Sequence, residues 1–345
     1  MSDQPLDNLD NNPLDNLPTT PSNPDIDLHS TVPSQTALID DLYEECAKVI
    51  IGQNETIELI ITCILSDGHI LLEGVPGIAK TLIAKTIAKT IDAHFSRIQF
   101  TPDLMPTDII GTSVFNMKES NFEFKPGPIF SNFVLIDEIN RAPAKTQSAL
   151  FEVMEEKQIS YDNESYKMGF PFVVIATQNP VEQEGTYVLP EAQLDRFLMK
   201  INLTYPSAKE ELDILNRYKN NIGPTDISMI KKILDEDKIK TLQAAIAEVF
   251  IKDDIMKYIV DVIQETRNHS KVYLGASPRA SLAILKTAKV TALLAGRRFV
   301  IPDDIQYVAP HVLNHRIILT PDAEMEGLDS FSVIKQILQS LEVPR

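Results

Sequence analysis

Between residues 69 and 203 short apolar runs alternate with stretches whose apolar residues recur at helical spacing. The runs His69–Glu73, His94–Phe100, Phe133–Asp137, Phe172–Thr177 and Phe197–Leu203 have the length of strands. Asn132–Ile136 is apolar nearly throughout, as expected of a strand buried on both faces. Thr81–Ile91 and Pro143–Glu155 read as helices between them. This βα alternation predicts a mostly parallel sheet covered on both faces. Ala37–Ile50 is amphipathic, and Gln53–Ser66 is a second helix-length segment carrying Ile57, Leu59, Ile60, Ile61 and Ile64.

Two interruptions break the alternation. Ile110–Phe130 holds strand-like pieces, Ser113–Asn116 and Asn121–Phe124, around Lys118-Glu119-Ser120. Gln158–Tyr161 and Ser165–Met168 flank Asp162-Asn163-Glu164 and read as a hairpin. After Tyr205-Pro206 the strand pattern stops. Lys209–Lys219, Ser228–Leu234, Lys238–Val249, Asp253–His269 and Pro278–Ala295 are expected to be helical, and Pro302-Asp303-Asp304-Ile305 opens another helix. In Asp253–His269 the set Ile255, Ile259, Val262 and Thr266 follows helical spacing behind acidic residues at its start. A chain of 345 residues suits two domains, with a boundary near Ser207. The expected division is a tail over 1–36, an α/β domain over 37–206 and a helical domain over 207–345.

Composition changes this picture mainly at the N-terminus. Residues 1–36 carry Asp3, Asp7, Asp10, Asp15, Asp25 and Asp27, lack Lys and Arg, and repeat Pro5-Leu6-Asp7-Asn8-Leu9 at Pro13-Leu14-Asp15-Asn16-Leu17. Such a segment cannot bury enough apolar surface to offset its ordering entropy, so a disordered tail is expected. The net charge of −17 argues against a partner such as duplex nucleic acid or an anionic membrane, which call for a basic face. No apolar stretch approaches the roughly eighteen residues of a membrane span, and the N-terminus lacks the basic and apolar regions of a secretory signal. Cys46 and Cys63 lie apart without metal-like spacing. A cytoplasmic protein with reduced thiols is the expectation.

The candidate chemistry begins at Gly74-Val75-Pro76-Gly77-Ile78-Ala79-Lys80-Thr81, which follows an apolar run and opens a helix. That context makes a phosphate loop: backbone N–H groups converge on a polyphosphate, Lys80 reaches the β- and γ-phosphates, and the Thr81 hydroxyl ligates Mg²⁺. The usual pattern has glycine before the lysine. Here Ala79 stands there, expected to enter the helix with no need of positive φ. Downstream, a buried strand ends in Asp137-Glu138, suited to hold the Mg²⁺ shell and to orient an attacking water respectively.

Thr177-Gln178-Asn179 closes another apolar strand, so Asn179 either reaches the γ-phosphate or attacking water, or merely starts a turn with Pro180. Arg196, in Leu189-Pro190-Glu191-Ala192-Gln193-Leu194-Asp195-Arg196-Phe197, ends a short helix running into a strand. It either pairs within its own chain or completes the site of an adjacent subunit. Ser277-Pro278 starts a helix with Arg279 in its first turn, where a cation is misplaced unless a γ-phosphate or a carboxylate faces it.

With these residues in this order, the chain resembles the AAA+ ATPases, and within them the MoxR family. The resemblance is carried by the phosphate loop with its Ala79, by Gln99-Phe100-Thr101-Pro102-Asp103-Leu104-Met105-Pro106, by Asp137-Glu138-Ile139-Asn140-Arg141-Ala142, by Ala176-Thr177-Gln178-Asn179-Pro180 and by Gly275-Ala276-Ser277-Pro278-Arg279-Ala280. It runs from about Leu38 to the low 320s.

The resemblance implies an α/β nucleotide-binding core with a helical lid. Ile110–Phe130 would be an insertion within helix 2, and Gln158–Met168 a hairpin before the first sensor. Asn179 and Arg279 would be the two sensors, Arg196 the trans-acting finger of a ring that is usually a hexamer, and Ile51-Gly52-Gln53 would lie against the adenine. The implied activity is Mg²⁺-dependent ATP hydrolysis that remodels or activates a partner protein, often one with a von Willebrand factor A domain. Two other readings are an ATPase subunit of a metal-chelatase complex and a nucleotide-occupied scaffold.

Overall fold

The computed structural model describes residues 33–75, 77–161, 164–179, 186–219 and 226–344. In chain order its elements begin with helices α1 (Pro33–Ala47) and α2 (Asn54–Leu65), strand β1 (His69–Glu73), α3 (Lys80–Thr90) and β2 (Phe95–Gln99). Next come α4 (Pro106–Ile110), the hairpin β3 (Gly111–Asn116) and β4 (Asn121–Pro126), β5 (Phe133–Asp137) and α5 (Ala144–Glu156). A second hairpin, β6 (Gln158–Tyr161) and β7 (Glu164–Lys167), precedes β8 (Val173–Gln178), α6 (Glu191–Leu194) and β9 (Phe197–Asn202).

The central sheet has the order β2-β5-β8-β1-β9 with every pairing parallel. Side chains of a strand alternate between faces, and the two faces bury different cores. Ile70, Leu72, Phe133, Leu135, Val173 and Ile175 join one apolar cluster with α1, α2 and α3. Leu71, Val134, Ile136, Val174 and Ala176 join a second with Leu150, Phe151 and Val153 of α5. Double burial explains why these strands read as continuous apolar runs.

Beyond β9 lie α7 (Ala208–Lys219), α8 (Glu236–Ala247), α9 (Asp253–Asn268), β10 (Val272–Leu274), α10 (Pro278–Leu294), α11 (Pro302–Leu313), β11 (Ile318–Leu319), α12 (Pro321–Met325) and α13 (Ser330–Ser340). The helices of this part bury Ile259, Val262, Ile284, Val308 and Ile334 in the same cluster as α2, so the lid is welded to one face of the sheet.

Three expectations are corrected. Ser228–Leu234 is not a helix: the Ile233 and Leu234 amides both donate to Thr90 O at the end of α3, and Lys231 N donates to Glu45. Tertiary acceptors replace the i−4 carbonyls a helix would have used. Strands also continue past Tyr205, since β10 and β11 pair antiparallel inside the helical part. Finally, α1 starts at Pro33, inside the segment expected to be tail; residues 1–32 lie outside the described residues. Among the described residues no helix is long and apolar enough to cross a membrane.

Candidate active site

The phosphate loop leaves β1 at its C-terminal end, between the ends of β8 and β9. A Cβ on Gly74 would meet Ile78 Cδ1 at 2.4 Å and Leu203 Cβ at 3.2 Å, so a larger residue there would displace the Ile78 side chain and crowd Leu203. Gly77 has open space around it, and its requirement is conformational, at φ +87°. Ala79 corrects the sequence reading. It caps α3 in the left-handed region (φ 61°, ψ 20°) rather than entering the helix, a conformation that costs a residue bearing a Cβ roughly 1–2 kcal/mol. Pro76 lies outside the described residues, whereas Val75 and Ile78 continue the loop.

Lys80 Nζ donates to Gly74 O at 2.6 Å and lies 3.5 Å from Gln178 O, bridging the loop entrance and the end of β8. Thr81 follows in the first turn of α3. Gly52 and Gln53 belong to the same edge. Gln53 Nε2 donates to Thr204 O (3.1 Å), just beyond Leu203, whose amide donates to Glu73 O at the loop's root.

Two strands away, β5 delivers Asp137 and Glu138. Asp137 is buried; Arg97 Nε donates to its Oδ2 (2.5 Å) and the Thr177 hydroxyl lies 3.4 Å from its Oδ1. Glu138 turns away with φ 58° and ψ 54°, another left-handed residue that is not glycine. Its N–H donates to Thr177 Oγ1 (3.0 Å), and its carboxylate receives Gln99 Nε2 (3.0 Å) and Arg141 Nε (2.9 Å). Backbone strain held this firmly is typical of functional positions. Between these strands runs β8, so Asn179, which is buried, stands between the phosphate loop and the acidic pair.

Arg196 and Arg279 lie elsewhere. Phe197 is in register with His69, the first residue of β1, so Arg196 sits at the N-terminal edge of the sheet. His69 Nε2 hydrogen-bonds Met154 O (3.0 Å), which fixes the end of α5 at this same edge. There Glu155 receives both arginines: Arg196 Nη2 at 2.6 Å and Arg279 Nη2 at 3.1 Å. The Arg196 guanidinium, first, and then the bonds to Arg279 hold the Glu155 carboxyl below its usual range. Arg196 also lies over the Phe151 ring, 5.9 Å from its centroid. Ser277 occupies the N-cap of α10, yet its hydroxyl lies 3.5 Å from Asp195 Oδ2 rather than closing the helix end.

At about 3.3 Å per residue, β1 separates this edge from the phosphate loop by about 13 Å before loops and side chains are added. The residues named from sequence therefore form two groups, not one. Lys80, Thr81, Asp137, Glu138 and Asn179 converge at one end, with Gly52 and Gln53 beside them, while Arg196 and Arg279 share a carboxylate at the other.

Sequence reading missed the residues that position these groups. Arg97 had no motif around it, and Glu155 ended a helix like any surface acid. Thr177 did stand inside one of the motifs, but nothing in the sequence marked its hydroxyl, whose partners Asp137 and Glu138 lie at the end of the neighbouring strand.

The donor set fits a magnesium ion carried by a nucleotide. A hydroxyl and one buried carboxylate are hard oxygen ligands, and among the described residues no cluster of three His, Cys, Asp or Glu offers a dedicated metal cage.

Residues 69–199 match the family described as ATPases associated with various cellular activities (AAA), and residues 264–337 match the AAA lid domain. The chain is 46% identical to Chaperone MoxR1 of Mycobacterium tuberculosis over 87% of this chain and 81% of that one. The solved structure of a candidate ATPase from Cytophaga hutchinsonii superimposes with a TM-score of 0.83 at 44% identity, covering 90% of this chain and 96% of that one. A weaker likeness joins it to a magnesium-chelatase subunit homologue of Methanocaldococcus jannaschii, 26% identical over 59% of this chain and 56% of that one.

Proposed function

The chain belongs to the MoxR family of AAA+ ATPases, and from that premise we propose that it hydrolyses ATP at sites shared between neighbouring copies in a ring, to remodel a client protein. The observation that carries this reading is the division across the sheet. The residues proposed to hold the phosphates gather at the C-terminal edge of one copy's sheet, whereas its two candidate arginines are a strand length away from them.

Within one copy, the loop amides and Lys80 bind and orient the polyphosphate. Thr81 and Asp137 are the residues that would hold Mg²⁺, which would supply neutralisation of charge on the phosphates. Glu138, steered by Gln99 and Arg141, orients and polarises the attacking water; Asn179 fixes that water or the γ-phosphate from the neighbouring strand. Gly52 and Gln53 line the adenine end. Arg196 and Arg279 serve the next copy, where a guanidinium stabilises charge on the departing phosphoryl group. Arg279 is thus a sensor of the neighbour's nucleotide rather than of its own. A hexamer is the proposed ring, as the family resemblance implies.

The client is proposed to be a cytoplasmic protein carrying a von Willebrand factor A domain. Support for a protein client comes from the β3–β4 hairpin, which exposes Phe115, Met117 and Phe122 beyond the body of the fold. The chelatase reading rests on the weaker likeness and predicts stable association with a large chelatase subunit instead.

Mixing tests the shared site. Arg196→Ala and Lys80→Ala are each expected to be inactive alone, whereas mixed rings contain interfaces pairing an intact Lys80 with an intact Arg196. Recovery of phosphate release on mixing supports the reading. Its absence, in rings shown to exchange subunits, sinks it. Capture with Glu138→Gln, which should retain ATP and client together, tests the client class.

A further inference from the structure

The tripeptide after α11, Asn314-His315-Arg316, grips the strand that follows Arg196 with all three side chains. Asn314 Nδ2 donates to Lys200 O (3.0 Å), and the His315 ring bonds Phe197 O through Nε2 (3.0 Å). Arg316 does most. Its Nε donates to Asp195 Oδ1 (2.6 Å), Nη2 to Phe197 O (2.7 Å) and Asp195 O (3.3 Å), and Nη1 to Leu198 O (3.0 Å) and Val312 O (2.5 Å). A guanidinium that uses its whole donor fork in this way holds one geometry, which a lysine could not reproduce. Its side chain is 4% exposed, so it cannot reach a neighbour's nucleotide itself.

Asp195 extends the contact to both arginines. It immediately precedes Arg196, and its second oxygen faces the Ser277 hydroxyl at 3.5 Å and Arg279 Nη1 at 4.0 Å. β9 is an edge strand of the sheet, and among the described residues no further strand holds the α6–β9 turn from outside. That task falls to the lid.

We infer that Arg316 is a positioning residue for the arginine pair: through Asp195 it locks the turn bearing Arg196 and the helix start bearing Arg279 into one geometry. The inference rests on the reading above, that the pair completes a neighbouring copy's site. Its consequence is that a chain altered at Arg316 keeps a sound nucleotide pocket of its own and spoils its neighbour's. A misplacement of about 1 Å at such a group can cost on the order of 10²-fold in rate.

The test uses full-length chains. Arg316→Gln is expected to bind ATP with unchanged affinity and lower kcat by about 10-fold or more. Mixed with Lys80→Ala, which is dead in its own pocket but carries an intact arginine pair, it should regain turnover per Arg316→Gln chain. A purely structural role damages the chain's own pocket, and mixing would then restore nothing.

Arg196→Ala mixed with Lys80→Ala runs in parallel. If that pair recovers and the Arg316→Gln pair does not, the positioning role alone is overturned. If neither recovers in exchanging rings, the shared-site reading falls and takes the positioning role with it. Should Arg316→Gln not fold, Asp195→Asn replaces it, since the amide retains an acceptor for Arg316 while losing the charge. It must show the same rescue by Lys80→Ala, and no rescue overturns the inference.

Discussion

The two ends of the parallel sheet are built on different terms. At the C-terminal edge, the groups that would meet a nucleotide sit within one contiguous cradle, and strain is tolerated to keep them there: Ala79 and Glu138 both hold positive φ without being glycine. At the N-terminal edge the candidate groups are long cations resting on acids, Arg196 and Arg279 on Glu155, with Asp195 beside them and Arg316 behind. The first edge combines strained backbone with side-chain ties that run within it, Arg97 to Asp137 and Gln99 and Arg141 to Glu138. The second is organised by side chains and faces outward, with the Arg279 side chain 60% exposed. On the function proposed above, the two edges would be complementary halves of an interface between copies, one contributing the nucleotide-binding groups and the other the arginines.

The largest expected effect separates the halves most directly. Arg196→Ala should reduce turnover by on the order of 10³-fold or more while ATP affinity, measured by titration with a labelled nucleotide, stays near wild type. Loss of binding instead would break the comparison, because the outward edge would then be supporting its own pocket. Glu138→Gln should lower turnover by on the order of 10²-fold or more with ATP retained, a defect that a partner's intact arginines do not repair. Repair on mixing would place Glu138 in the wrong half. Arg279→Ala is expected to cost on the order of 10²-fold and to be rescued by Lys80→Ala, as Arg196→Ala is. If its loss persists in mixed rings, Arg279 acts within its own chain.

Smaller effects sharpen the contrast in backbone strain. Ala79→Gly removes a Cβ from the left-handed region and should stabilise the fold by about 1 kcal/mol, raising the thermal midpoint by about 1–2 °C. A fall in the midpoint would mean that loop entropy outweighs the relieved strain. Deleting residues 1–32, which precede α1 and carry no apolar pattern, should leave the midpoint and basal phosphate release nearly unchanged. A drop of several degrees would show that the acidic repeats are bound to one of the two edges.

Much of the cradle could be read in sequence because its residues obey local rules. A phosphate loop must follow a strand and open a helix, and an acidic pair must end a buried strand, so Gly74–Thr81 and Asp137-Glu138 announce themselves within a few residues each. The hairpins at 111–126 and 158–167 were visible for the same reason, since alternation around a polar turn is a local pattern. Ser228–Leu234 misled because its apolar spacing suits a helix while its amides bond to Thr90 and Glu45, far away in the chain. Ala79 misled because helix propensity describes the interior of a helix, and this residue is its cap.

By itself, the sequence determined the class of fold, the order of the five core strands and the identity of the chemical groups, since burial on both sheet faces and tight turns leave periodic and compositional marks. Only the tertiary structure decided which groups share a site. Arg196, Arg279, Glu155 and Arg316 are separated by up to 161 positions: Arg196 reaches this edge because β9 starts there, while Glu155 arrives at the end of α5 and Arg279 and Arg316 come from the lid packed beside it. The parallel sheet sends every strand's end, and with it the phosphate loop, to the other. Strand direction is a property of the assembled sheet, and no local pattern encodes which end a distant arginine will reach.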